Sequence, residues 1–161
     1  KRTLSSKAKG VLGRGGYLWC LVRSFFSHKS TGVKIWIDDR LVFNDLLFSI
    51  AIGVGKYNGG GIQQLPDAVA DDGILDVTLI RPVHWWHVVF RLRRLFNGTI
   101  YSIGHVTHAR GKKIHIESSP EMPLEIDGEL YSGTPVELRV KHREVRVIVN
   151  KSYLEKLKRQ K

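Results

Sequence analysis

Cysteine is nearly absent from this sequence, because Cys20 is the only one in 161 residues. A single thiol excludes an intrachain disulfide, and this fits a protein of the reducing cytoplasm. Long hydrophobic runs are also missing: none reaches the ~18 residues that span a bilayer, and no signal peptide is visible. We therefore expect a cytoplasmic chain without a transmembrane segment.

Acidic residues are scarce relative to basic ones: 15 Asp and Glu stand against 26 Lys and Arg, which gives a formal net charge of +11. A surface of this charge attracts polyanions, namely nucleic acid, anionic membrane or phosphorylated small molecules. Proteins that bind nucleic acid usually add a recognisable motif, such as an aromatic-bearing strand, a zinc knuckle or a recognition helix. No such motif is present, so we do not expect a nucleic-acid partner.

The chain is long enough for one ordinary domain, and 42% of its residues are hydrophobic, as in globular proteins. We divide it into a basic, glycine-containing lead-in over residues 1–16, a single domain over 17–149, and a basic tail over 150–161. The apolar segment Tyr17–Phe26 predicts a buried helix at the start of the domain.

The periodicity after residue 30 is mostly that of strands. Val33, Ile35 and Ile37 alternate with Lys34, Trp36 and Asp38, which predicts a half-buried strand, and Asp38-Asp39 is typical of a hairpin turn. Further strand-like segments are found at 41–43, 46–52, 74–80, 106–109, 113–117, 124–126, 136–140 and 145–149. Their close spacing predicts a mainly β fold, an antiparallel β-sandwich with one or two covering helices.

Residues 84–97 form the clearest helix candidate, with an apolar face opposite a face of histidines and arginines, and with Gly98 as a C-cap. Such a helix covers a sheet in most proteins. It can also rest on an anionic membrane. The two roles are compatible if Trp86 and Phe90 point outward.

Residues 58–76, NGGGIQQLPDAVADDGILD, combine a glycine run with a punctuated acidic turn. A phosphate-binding loop would use the glycines, but the lysine that completes such a loop is missing. Asp71-Asp72-Gly73 alone is typical of a turn before a strand. With Pro66-Asp67, which adds a third carboxylate on bent backbone, the stretch indicates equally well a site for Mg²⁺ or Ca²⁺, which bind carboxylate and turn carbonyl oxygens.

The segment Glu125–Leu130, EIDGEL, also has two interpretations. Asp127-Gly128 matches the dipeptide of a two-residue hairpin turn. A carboxylate at the end of a strand can instead act as general base toward a hydroxyl. The residues alone favour the turn.

The order of these motifs resembles one family. Gly53–Gly61, Pro66–Ala68, Asp72–Asp76 and Ile126–Glu129, taken together, are similar to the diacylglycerol kinase catalytic family, and most of all to its bacterial lipid kinases, relatives of sphingosine and ceramide kinases. The resemblance extends over about residues 12–149. It implies a lipid substrate, ATP as co-substrate and Mg²⁺.

The resemblance also implies roles for individual residues. Glu129 would take the proton from the lipid hydroxyl, and Asp127 would stand near the nucleotide phosphates and the catalytic magnesium. Asp72 would bind a structural Mg²⁺ through its side chain, with backbone carbonyls near Val69 and Ile74 completing the site.

The glycine run Gly59, Gly60 and Gly61, with the basic Lys56 before it, would line the cleft between two domains. The family commonly has Asn where this chain has Val54, so one polar contact of the cleft is expected to be lost.

Family members hold ATP in an N-terminal domain with a Gly-Gly-Asp-Gly-Thr motif, and this chain contains no such motif and does not begin with Met. We therefore expect a C-terminal piece of a lipid kinase, inactive alone, which pairs with that domain and with an anionic membrane surface. The alternatives are a basic β-sandwich that binds anionic lipid or nucleic acid without chemistry, and a nicotinamide-nucleotide kinase. The sequence leaves the lipid itself open.

Overall fold

Two antiparallel sheets make up most of the fold. The computed structural model of the chain describes residues 30–146, 148, 150 and 155, so the predicted lead-in, the predicted helix at 17–26 and most of the tail lie outside the described residues. The first sheet has the order β2-β1-β6-β9. Its strands are β1 (Thr31–Ile37), β2 (Arg40–Leu47), β6 (Lys113–Ser119) and β9 (Val136–Arg139).

The second sheet has three strands in the order β3-β4-β5, and a separate hairpin pairs β7 with β8. The strands of the sheet are β3 (Ser49–Gly53), β4 (Leu75–Ile80) and β5 (Val106–Gly111). Those of the hairpin are β7 (Leu124–Ile126) and β8 (Glu129–Tyr131).

The core lies between the two sheets, because alternate residues of their strands point toward each other. The first sheet contributes Val33, Ile35, Ile37, Phe43, Leu47, Ile114 and Ile116, and the second contributes Leu75, Val77 and Leu79. All ten are buried. The predicted mainly β, sandwich-like fold is confirmed.

The predicted hairpin at Asp38-Asp39 joins β1 to β2. Both aspartates have positive φ, 47° and 66°, and Ile37 pairs with Arg40 across them. Two residues of positive φ suit the right-handed twist of the flanking strands. The Asp38 carboxylate also accepts the backbone N–H groups of Lys112 and Lys113, each at 3.0 Å.

The chain changes sheets at Phe48 and at Lys112. The prediction of one strand over 46–52 was wrong because the backbone N–H of Phe48 donates to the carbonyl of Ile80 (2.8 Å), and β3 then pairs with β4 in the other sheet. The second change follows Gly111, where a Cβ would come within 2.1 Å of the Ile37 side chain. Only glycine fits this close approach.

Two further predictions differ from the structure. In the strand predicted at 145–149, residues 145, 146 and 148 are described and none is in a strand. Val145 and Ile148 are exposed, so neither apolar side chain packs in the core. The helix predicted over 84–97 is an α-helix, α1, only over Trp85–Arg91, and continues as a 3₁₀ turn over Leu92–Leu95.

Candidate functional site

The glycine run forms a closed turn beside the second sheet. Gly59–Gly61 is a single 3₁₀ turn that begins where the Asn58 side chain accepts the backbone N–H of Gly59 at 2.8 Å. The Asn58 backbone N–H donates to the Ile62 carbonyl (2.8 Å), which closes the loop. Lys56 is exposed, and its carbonyl accepts the backbone N–H of Leu65 at 3.3 Å.

The acidic turn follows this loop and leads into β4. The Asp72 backbone N–H donates to the carbonyl of Val69 (3.3 Å), and the Asp72 side chain accepts the backbone N–H of Ile74 (2.9 Å). Gly73 between them has a φ of +73°, and a Cβ there would lie 2.5 Å from the His142 ring. The turn thus needs an aspartate to close it and a glycine to bend it.

Arg110 ties this turn to the sheet. It lies directly opposite Asp76 on the neighbouring strand β5. Its Nε donates to Asp76 Oδ1 at 2.9 Å, and its Nη2 lies 3.4 Å from Asp76 Oδ2 and 2.5 Å from Asp72 Oδ2. One guanidinium therefore joins a carboxylate of the strand to a carboxylate of the turn, a fork geometry that lysine cannot reproduce.

Burial makes this bridge important. The Asp76 side chain is only 1% exposed, and burying a carboxylate costs free energy unless a cation and hydrogen-bond donors compensate it. The hydrogen bond with Asp76, with a smaller contribution from Asp72, raises the pKa of Arg110 above its ordinary value.

A second polar group lies on the same face of β4, two residues further along. The buried Thr78 hydroxyl donates to the Gln64 carbonyl at 2.6 Å and lies 3.2 Å from the hydroxyl of Tyr101. The Tyr101 ring stacks on His108, with 4.6 Å between ring centroids. Partial burial raises the pKa of Tyr101. These bonds fix the segment after the glycine run against the sheet.

The β7–β8 hairpin carries the predicted catalytic carboxylates. Asp127 and Gly128 both have positive φ, 51° and 89°, and Ile126 pairs with Glu129 across them, as the turn interpretation predicts. Glu129 is exposed, and its carboxylate accepts a long hydrogen bond (3.5 Å) from the Tyr131 hydroxyl. The turn fixes the backbone on which Asp127 and Glu129 are held.

The predicted site residues thus fall into three groups: the glycine loop, the acidic turn, and the hairpin. The Asp72 carboxylate accepts hydrogen bonds from Ile74 and Arg110, whereas the Glu129 carboxylate accepts one from Tyr131. Among residues 30–146, these two carboxylates therefore share no hydrogen-bond partner. Their assigned roles stay predictions.

The predicted magnesium site has suitable oxygen atoms but an unfavourable charge nearby. The Val69 carbonyl and the Asp72 carboxylate are ligands of the kind that Mg²⁺ prefers. Each Asp72 oxygen already has a hydrogen-bond donor, and one donor is the guanidinium of Arg110. Within the part of the chain that the structure describes, no group of three or more His, Cys, Asp or Glu side chains is placed to hold a metal ion.

Comparison with known proteins identifies the family. Residues 3–149 match the model of the family described as YegS C-terminal NAD kinase beta sandwich-like domain. The chain belongs to this YegS C-terminal domain family.

Relatives of this YegS C-terminal domain agree with the resemblance noted in the sequence. The chain is 32% identical over 129 residues to a protein of Pseudomonas syringae pv. syringae (strain B728a) named "Probable lipid kinase YegS-like", and 32% identical over 125 residues to one of the same name from Pseudomonas putida (strain KT2440). These alignments cover 80% and 78% of this chain but only 41% and 40% of the relatives. The chain therefore spans about two fifths of the relatives' length.

A solved structure has the same fold. The crystal structure of a diacylglycerol kinase from Bacillus anthracis str. Sterne matches with a TM-score of 0.64 and 26% identity, over 85% of this chain and 46% of that one. The predicted membership in the diacylglycerol kinase family, as a C-terminal part, is confirmed.

Sequence reasoning missed Arg110, Asp76 and Thr78. One signal was available: Asp76 is a charged residue inside the apolar strand Leu75–Ile80, and a buried carboxylate requires a cation. Arg110 was harder to find because the pairing of β4 with β5 bridges 34 residues of sequence.

Replacing Gly73 with alanine tests the geometry of the acidic turn. Gly73→Ala should lower the free energy of unfolding by about 1–2 kcal/mol, the penalty for an L-residue in the left-handed region, and more if His142 cannot move. Urea unfolding measures the change. Gly55→Ala is the matched control, because no atom lies within 4 Å of its Cβ position and its φ is not positive. Equal stability of the two variants would contradict this geometry.

Proposed function

We propose that this chain is the lipid-side part of an ATP-dependent kinase that phosphorylates a lipid hydroxyl. The main support is the family match over residues 3–149, together with relatives named as lipid and diacylglycerol kinases. The motifs of the acidic turn and of the hairpin occur in the order that the resemblance requires. An acceptor of the diacylglycerol or sphingoid type is consistent with these names.

Glu129 is the proposed general base. It accepts the proton of the lipid hydroxyl as the hydroxyl oxygen attacks the γ-phosphorus of ATP, and the bond to the leaving ADP breaks. Its exposure suits this role, because a base must reach a substrate that arrives from outside the domain. The two-residue turn before it holds the backbone in one conformation, which keeps the carboxylate in position.

The nucleotide is proposed to bind mainly to an N-terminal domain of the same protein. Asp127 and the loop of Lys56 and Gly59–Gly61 would face that domain across the cleft. Magnesium that arrives with ATP would neutralise the phosphate charge there. This magnesium ion is distinct from the structural magnesium ion predicted at Asp72, where the Arg110 guanidinium already occupies one carboxylate oxygen.

Replacing Glu129 tests the catalytic proposal. The chain is fused to the N-terminal part of the Pseudomonas syringae relative, and ATP-dependent phosphorylation of diacylglycerol and sphingosine is measured. Glu129→Gln should lower kcat by at least about 100-fold, since general-base catalysis contributes 10²–10⁴-fold. Lipid binding should be largely unchanged, because Gln keeps the shape of the side chain.

Glu125→Gln is the matched control, an exposed glutamate on the other strand of the hairpin, and should retain activity. Equal rates for Glu129→Gln and the unmodified fusion would contradict the base assignment. Turnover by the 161-residue chain alone would contradict the two-domain proposal. A folded fusion that binds vesicles but phosphorylates no lipid would favour the non-catalytic binding module.

We also propose that the segment from α1 to Phe96 contacts an anionic membrane. Trp86, Phe90 and Phe96 are 44%, 83% and 48% exposed, although aromatic side chains are usually buried. Arg91, Arg93 and Arg94 lie in the same segment, and the chain has a net charge of +11. Exposed aromatic rings beside arginines match a lipid surface, where rings enter the interface and guanidinium groups meet headgroups. No helix that the structure describes is long and apolar enough to cross a membrane.

Vesicle sedimentation tests this surface. Phe90→Ser should weaken binding to phosphatidylglycerol-containing vesicles by about tenfold or more, because burial of one large apolar side chain contributes about 1.5–3 kcal/mol. Arg93→Gln should weaken it about fivefold at low salt and less at high salt. Val145→Ser, at a position 78% exposed outside this segment, is the control and should bind normally. Binding that ignores Phe90, salt and lipid charge would contradict the proposal.

A further inference from the structure

The acidic turn already contains a cation of its own. Arg110 donates to Asp72 at 2.5 Å and to Asp76 at 2.9 Å, and the other Asp72 oxygen accepts the Ile74 N–H at 2.9 Å. The turn carboxylate is therefore neutralised and oriented by groups of the same chain. Asp76 is buried and accepts a hydrogen bond from Nε of the same guanidinium.

We propose that Arg110 takes the place of the structural metal ion at this turn. A metal at Asp72 would orient the carboxylate and join the turn to the sheet through oxygen ligands. The guanidinium joins the same turn to the same sheet through hydrogen bonds, and its position is set by the direct pairing of β5 with β4. Arg110 is thus a positioning residue for the acidic turn and does not contact substrate.

Arg110 competes with divalent cations for the acidic turn. A divalent cation next to Asp72 would stand close to a permanent positive charge and would compete with it for Asp72 Oδ2. Arg110 cannot lose its proton to relieve the repulsion. The guanidinium would have to leave Asp72 while keeping Asp76. Metal binding by the unmodified chain is therefore weak, and removing the arginine strengthens it.

Direct binding of Mn²⁺ and Mg²⁺ to the whole 161-residue chain tests the proposal without lipid or nucleotide, so its outcome is independent of the proposed phosphoryl transfer. Arg110→Met should bind Mn²⁺ at least about tenfold more tightly than the unmodified chain, measured by electron paramagnetic resonance and calorimetry. Mg²⁺ at 10 mM should raise the melting temperature of this variant by about 3 °C or more and leave that of the unmodified chain unchanged.

Further variants separate charge, space and folding. Arg110→Lys keeps the positive charge and should bind metal as weakly as the unmodified chain. Asp76→Asn combined with Arg110→Met removes the buried charge pair, so it keeps the test valid if Arg110→Met alone does not fold. This double variant should also gain affinity, and adding Asp72→Asn should abolish the gain.

Arg139→Met is the control, since Arg139 pairs with Glu137 at the exposed face of β9. The proposal is wrong if the unmodified chain binds Mg²⁺ through Asp72 as tightly as the folded arginine variants do. It is also wrong if Arg139→Met produces the same gain as Arg110→Met.

Discussion

The bridge from Asp76 through Arg110 to Asp72 is the interaction on which the arrangement of the candidate site depends. Asp76 lies inside a strand whose other face packs in the core, and its buried carboxylate needs a cation beside it to offset the cost of burial. Arg110 meets that need because β5 pairs with β4 in one register. Nη2 of the same guanidinium also donates to Asp72, so the position of the acidic turn follows from the pairing of two strands.

The same face of the second sheet organises what surrounds this bridge. Thr78 fixes the segment after the glycine run through the Gln64 carbonyl, and Gly73 lets the turn pass beneath His142. In the proposed two-part kinase, this order would give the chain a rigid wall toward the half that carries the nucleotide. In the same proposal, the exposed hairpin of Asp127 and Glu129 would be the element that faces the substrate.

Local patterns predicted the local structure well. Alternation predicted most of the strands, although the described residues of the one expected over 145–149 are not in a strand. The Asp-Asp and Asp-Gly pairs were turns because their neighbours were strand residues. The strand expected over 46–52 was wrong, since the change of sheet at Phe48 depends on a bond to Ile80, far along the chain. Arg110 was missed for the same reason. The order of the motifs identified the family. A local sequence pattern cannot predict which arginine lies beside a given carboxylate, because strands far apart in sequence bring the two together.

The coupling between Arg110 and Asp76 is the interaction that holds the acidic turn on the sheet. A double-mutant cycle with Arg110→Met and Asp76→Asn, followed by urea unfolding, measures that coupling. We expect a coupling energy of about 2 kcal/mol or more, because either single change leaves a buried charge or a charged donor without its partner. The exposed pair of Arg139 and Glu137 should give about 0.2–1 kcal/mol in the same cycle. A coupling between Arg110 and Asp76 no larger than that of the exposed pair would contradict the account.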